Sequence, residues 1–92
     1  MSNTSAIAAP QPMDFDRPES WVAWIKRFDR FLDVSGKGDS TDTIKISNMV
    51  YLMGADAEEI LITFGLTEDE SKRYAVVKQR FQDNFLKTTY NF

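Results

Sequence analysis

The chain has 92 residues, 42% of them hydrophobic and 27% charged, with a formal net charge of -3 and neither cysteine nor histidine. That length allows one domain, of a size that buries only about two thirds of its unfolded surface. The two missing residue types exclude disulfides, zinc knuckles, thiol nucleophiles, histidine triads and imidazole metal ligands, and the interleaved charge carries no electrostatic footprint for nucleic acid.

Met1 to Met13 is small, polar and interrupted by Pro10 and Pro12, a composition that predicts a flexible lead-in ahead of a helical domain spanning residues 14–92. Phe15 is expected to pack near the start of the first helix in the manner of a hydrophobic staple. That helix is predicted over Pro18 to Gly36. Its apolar residues Trp21, Trp24, Ile25, Phe28, Phe31 and Leu32 fall within an arc of about 120° at helical spacing. Asp16 is the expected cap, Pro18 suits the first turn, and Gly36 can take the left-handed conformation that ends a helix. The opposite face carries Lys26, Arg27, Arg30 and Asp33, and on an outer helix these four are the candidate interface to a neighbouring subunit.

Lys37 to Asp42 reads as a turn with several capping side chains, and its GKGDS string lacks the spacing of a phosphate loop. Thr43 to Met53 is apolar most of the way round, with Ile46, Met49, Val50 and Met53 on one side and Ile44, Tyr51 and Leu52 on the other. A helix sandwiched at the middle of the bundle is expected, which leaves the Pro18 helix on the outside. The β-branched residues also permit a strand, but the length and the Gly54 stop favour helix. Ala55 to Phe64 restarts after Gly54, with a capping box between Asp56 and Glu59, a buried side of Ile60, Leu61 and Phe64, and a stop at Gly65. Thr67 and Glu70 form a second capping box. Beyond it Tyr74, Val77, Phe81 and Phe85 make a stripe on a helix that reaches about Leu86, continuous or broken near Arg73. Tyr90 and Phe92 look exposed and suggest a docking end or a cut from a longer protein. The fold class is therefore all-α, a small bundle of four to five helices.

Catalytic chemistry has only carboxylates left to use. Asp56, Glu58 and Glu59, and again Glu68, Asp69 and Glu70, stand where first helical turns should be, and capping plus dipole complementarity accounts for them. No cofactor, metal or catalytic residue is expected, and the chain is not expected to be an enzyme. Two small basic faces, Lys26, Arg27 and Arg30 on the first helix and Lys72, Arg73, Lys78 and Arg80 on the last, read as solvated surfaces with acidic neighbours. Met49, Met53 and Tyr51, like Trp21, Trp24, Phe28 and Phe31, are read as core first and as a groove for a partner segment second.

The ordered pattern W-x2-W-x3-F-x2-F-L-x2-S-G, then N-M-V-Y-L-M-G-x2-A-E-E-I-L, F-G-L-T-E-x-E and Y-x2-V-x3-F-x3-F resembles the Gag polyprotein of gypsy-type LTR retrotransposons, over the N-terminal lobe of its capsid. It covers about Phe15 to Phe92. The resemblance implies a small all-α lobe that packs beside copies of itself in a capsid-like shell. Arc-type neuronal proteins, domesticated relatives, offer the alternative of an adaptor that binds partner peptides in an apolar groove. The family's functional residues are interface surfaces, so no catalytic residue carries over. The second capsid lobe and the Cys/His knuckle of a complete Gag lie outside these residues, so RNA packaging is not implied for them. The expected partners are further copies of the chain, as a homo-oligomer in the full-length protein with a monomer allowed for these residues alone, and peptide segments of other proteins, with no nucleic acid and no membrane, in a cytoplasmic setting.

Overall fold

A computed structural model describes residues 8–89. Helix α1 (Trp21–Val34), α2 (Asp42–Met53), α3 (Ala55–Thr63) and α4 (Tyr74–Thr89) follow one another, with 3-10 turns at Pro18–Ser20 and Glu70–Lys72 and no strand among the described residues. The chain is an all-α bundle, and the strand alternative for α2 is excluded. The expectation for Tyr90 and Phe92 lies outside the described residues.

Helix α1 follows its apolar stripe. Trp21, Trp24, Ile25, Phe28 and Leu32 are buried, and Phe31 is half-buried at the edge. The helix ends at Gly36, whose φ of 78° lets its own N–H reach the Asp33 carbonyl and the Lys37 N–H reach the Leu32 carbonyl. Those bonds satisfy two carbonyls that a helix end leaves open. Asp16 does not cap this helix. Its N–H instead donates to Asp14 Oδ1, and the Asp14 carbonyl accepts from the Arg17 N–H and the Ser20 hydroxyl, so Asp14 organises the turn and Pro18 sits at its first position.

The middle of the bundle is α4, not α2. Val77, Phe81 and Phe85 are buried. The Phe81 ring lies 6.1 Å from Trp21, 6.0 Å from Phe85 and 5.0 Å, edge-on, from Phe64. Helix α2 buries Ile46, Met49, Val50 and Met53 but leaves Ile44 48% and Tyr51 80% exposed. Of its second apolar face only Leu52 packs against the core, so the helix is covered on one side and not sandwiched. Likewise α3 buries only Ala57 fully; Ile60, Leu61 and Phe64 pack at the margin of the core. Its capping box does not form: Gly54, with φ 121° and ψ 171°, both ends α2 and begins α3, and no side chain caps it. The Thr67–Glu70 box does form, with reciprocal bonds of 3.0 and 3.1 Å, but it opens a 3-10 turn that Arg73 breaks. Helix α4 then starts at Tyr74, whose N–H is accepted by Asp42 Oδ2 from the first turn of α2.

The expected lead-in has an ordered end. Met13 is 5% exposed within the core and its N–H donates to the Met53 carbonyl at 3.1 Å. The Gln11 carbonyl accepts the Trp24 indole N–H at 2.7 Å. A buried indole needs such a partner, and an open helix-end carbonyl needs a donor, so the strap and the bundle complete each other. Phe15 packs further along than a staple would, 6.0 Å from Phe85 on α4.

Candidate functional site

The sequence offered two basic faces, and the fold uses up one of them. Lys72 pairs with Glu68 at 3.3 Å, Arg73 with Asp69 at 3.0 Å and Lys78 with Asp29 at 2.7 Å. Arg80 stacks on Phe64 and donates to its carbonyl, closing the C-terminal end of α3. By contrast Lys26, Arg27 and Arg30 are exposed and join no salt bridge among the described residues. Asp29, on the same helix, is turned away to accept from the Tyr74 hydroxyl and the Lys78 ammonium, both at 2.7 Å. Asp33 is exposed at the end of the same face, its Oδ1 close to Gly38.

The residues read as core or groove separate cleanly. Trp21, Phe28, Met49 and Met53 are fully enclosed, and Trp24 is nearly so. Met49 and Met53 therefore line no groove. Phe31 keeps part of its ring exposed, with the Lys37 ammonium 5.8 Å above it. Tyr51 stands out in solvent, and it borders a groove of about 400 Å³ between α2 and α3 together with Ile46, Ser47, Val50, Glu58, Leu61 and Ile62. Ile62 is 78% exposed. Scattered exposed apolar residues need no explanation, but two large ones flanking one apolar groove do. The signal for Ile62 was present in its spacing: it lies with Glu58 and Glu59 on the side of α3 opposite the packed residues. Ile60 and Leu61 beside it already complete a buried stripe, so periodicity alone does not single Ile62 out.

A second hollow, of about 470 Å³, runs between the strap and α1; Pro10, Pro12, Met13, Ala23, Trp24 and Arg27 are among its walls. The strap also borders Arg30, Phe31 and Val34 on its other side.

The acidic groups divide as well. Around Glu70 the bond from the Thr67 N–H holds the carboxyl below its usual range, with the Thr67 hydroxyl bond acting in the same direction. Asp56, Glu58 and Glu59 are exposed and join no salt bridge among the described residues. No group of three or more acidic side chains among those residues is arranged to hold a metal. The Tyr74 hydroxyl holds its proton unusually tightly: burial raises its pKa, and the hydrogen bond to Asp29 and that carboxylate's charge raise it further. Nor is any described helix long and apolar enough to cross a membrane. No family model, curated protein or solved structure matches this chain.

Proposed function

We propose that this chain is a structural assembly module, the N-terminal capsid lobe of a Gag protein or of a gene derived from one, working in the cytoplasm and carrying no catalytic group. The observation that carries the reading is the contrast between a closed aromatic core and the outward faces of α1 and α2–α3, where cations, carboxylates and large apolar side chains stand without partners. The ordered sequence pattern and the all-α bundle support the family. Contacts of this kind can be individually weak, because a shell forms many at once and their avidity holds it together. Sedimentation of the chain over a wide concentration range, with electron microscopy of the pelleted fraction, is the test. Concentration-dependent association is expected; a monomer at every concentration and salt rejects the reading.

The strap hollow favours a second reading, an adaptor that takes partner peptides beside Trp24 in the manner of the Arc-type relatives. Trp24 lines the hollow and its indole is bonded to the strap, so peptide entry should shift tryptophan emission. A saturable shift without self-association would favour the adaptor over the shell.

A further inference from the structure

Resting on the self-association reading, we infer that the contact is head-to-tail: the outer face of α1 on one copy seats on the α2–α3 groove of the next. The two faces are complementary in composition. On α1 the exposed side carries Lys26, Arg27 and Arg30, which join no salt bridge among the described residues, one carboxylate, Asp33, and the small apolar Val22 and Val34, with the strap bordering its Arg27 edge, so the face is cationic in balance around small apolar spots. On α3, Ala55, Glu58, Glu59 and Ile62 are exposed on one side, so unpaired carboxylates flank a large apolar residue at the rim of the groove. Lysine and arginine stems cover apolar surface while their heads reach outward, and the exposed Tyr51 ring is open to a guanidinium.

The charges also decide against a like-to-like contact. If the α2–α3 face met itself, Glu58 and Glu59 would oppose acidic copies across a groove whose walls carry no cation. The one lysine of the hairpin, Lys45, is occupied elsewhere, 5.8 Å from the Tyr74 ring. A cationic face of matching character is carried by α1 of the same sequence. Because donor and acceptor are different faces, each copy keeps one of each free, and association propagates into rings or filaments instead of stopping at a dimer.

Charge reversal tests this with exposed residues that leave the core untouched. The triple variant Lys26→Glu, Arg27→Glu, Arg30→Glu and the double variant Glu58→Lys, Glu59→Lys should each keep the helical circular dichroism and each weaken self-association at least about tenfold by sedimentation equilibrium. Mixed in equal amounts, they should recover to within about threefold of the parent, since each supplies the face the other has lost. A control, Arg17→Glu, Lys72→Glu, Arg73→Glu, makes the same change in net charge as the α1 triple on other surfaces and should associate like the parent. If both reversed variants associate like the parent, or if mixing recovers nothing, the head-to-tail contact is wrong while the assembly reading stands. A parent chain that never associates overturns both.

Discussion

The α1–α4 pair and the α2–α3 hairpin are built from similar proportions of apolar residues, yet they spend them differently. Between α1 and α4 the central rings are enclosed: Trp21, Phe28 and Phe81 have no solvent exposure, and only Phe31 and Tyr74 at the margin are half-buried. The polar atoms at the edge of that contact are also matched, with the Trp21 indole N–H donating to Gln82 and the Tyr74 hydroxyl to Asp29. The hairpin instead buries one side and shows the other, with Tyr51, Ile62 and Ile44 facing outward. Enclosed rings stabilise the fold in proportion to the water they exclude, whereas exposed ones stabilise nothing until a partner covers them. One half of the molecule holds the fold, and the other offers a surface.

Substitutions should separate these halves by size of effect. Phe28→Ala or Phe81→Ala removes a fully enclosed ring from the α1–α4 contact and should cost about 3 to 5 kcal/mol. A domain this small has roughly 5 to 10 kcal/mol in all, so both variants should be largely unfolded near physiological temperature. Denaturant unfolding checks it, and an unchanged midpoint would show that the aromatic cluster is not what holds the fold. Gly54→Ala should come next, at about 1 to 3 kcal/mol, because its backbone lies in a region that is essentially reserved for glycine. The added Cβ would meet nothing closer than Phe15 at 3.9 Å, so the cost is conformational and falls on the α2–α3 junction. Hydrogen exchange should then show the hairpin opening ahead of the rest; uniform loss of protection would contradict that.

Much of this division was legible in the residue order. The α1 stripe, the Gly36 stop, the Thr67–Glu70 box and the Val77, Phe81, Phe85 stripe are local patterns, and local patterns survive folding when nothing competes. What escaped were questions of which neighbour covers which face. Helix α2 was expected at the centre because it is apolar most of the way round, but apolarity does not supply a second neighbour, and Tyr51 is left in solvent. Met13 was expected in a flexible tail because its flanking prolines and small residues look disordered. Its anchor is the carbonyl of Met53, forty positions away in sequence, which no local pattern announces. Of the site, the cationic face of α1 was visible, since only its lack of partners had to be learned; the α2–α3 groove was not, because it exists only once Gly54 has folded the two helices together.

The polar seam joining α1 to α4 should respond to pH. Asp29 faces Tyr74 from α1, Asp42 and Lys45 face it from α2, and Lys78 lies along its own helix. Since burial and Asp29 raise the Tyr74 pKa, the folded state keeps this proton where the unfolded chain has lost it. Above the ordinary tyrosine value of about 10, the unfolded state therefore binds fewer protons and stability falls as pH rises. The contribution is fully present below that value. Tyr74→Phe should lose about 1 kcal/mol at neutral pH with its hydrogen bond and show a shallower alkaline decline than the parent. Tyr51→Phe, with no carboxylate partner, should change neither; equal alkaline slopes in all three proteins would remove Tyr74 as the cause.

The smallest effect on stability should accompany the largest effect on association. Ile62→Ser takes apolar surface off an already exposed position, so unfolding should move by no more than about 0.5 kcal/mol in either direction. Tyr51→Ala should behave alike, because its ring also meets mostly water. Both change the rim of the same groove, and a partner that covers them would lose the burial of a large side chain in each case. Stability that stays level while sedimentation shifts toward monomer is the result expected of a surface kept for contact. Stability that falls together with association would instead mean that these residues support the hairpin from outside. In that case the line between the two halves would have to be drawn through α2, with only its Met49 and Met53 side belonging to the core.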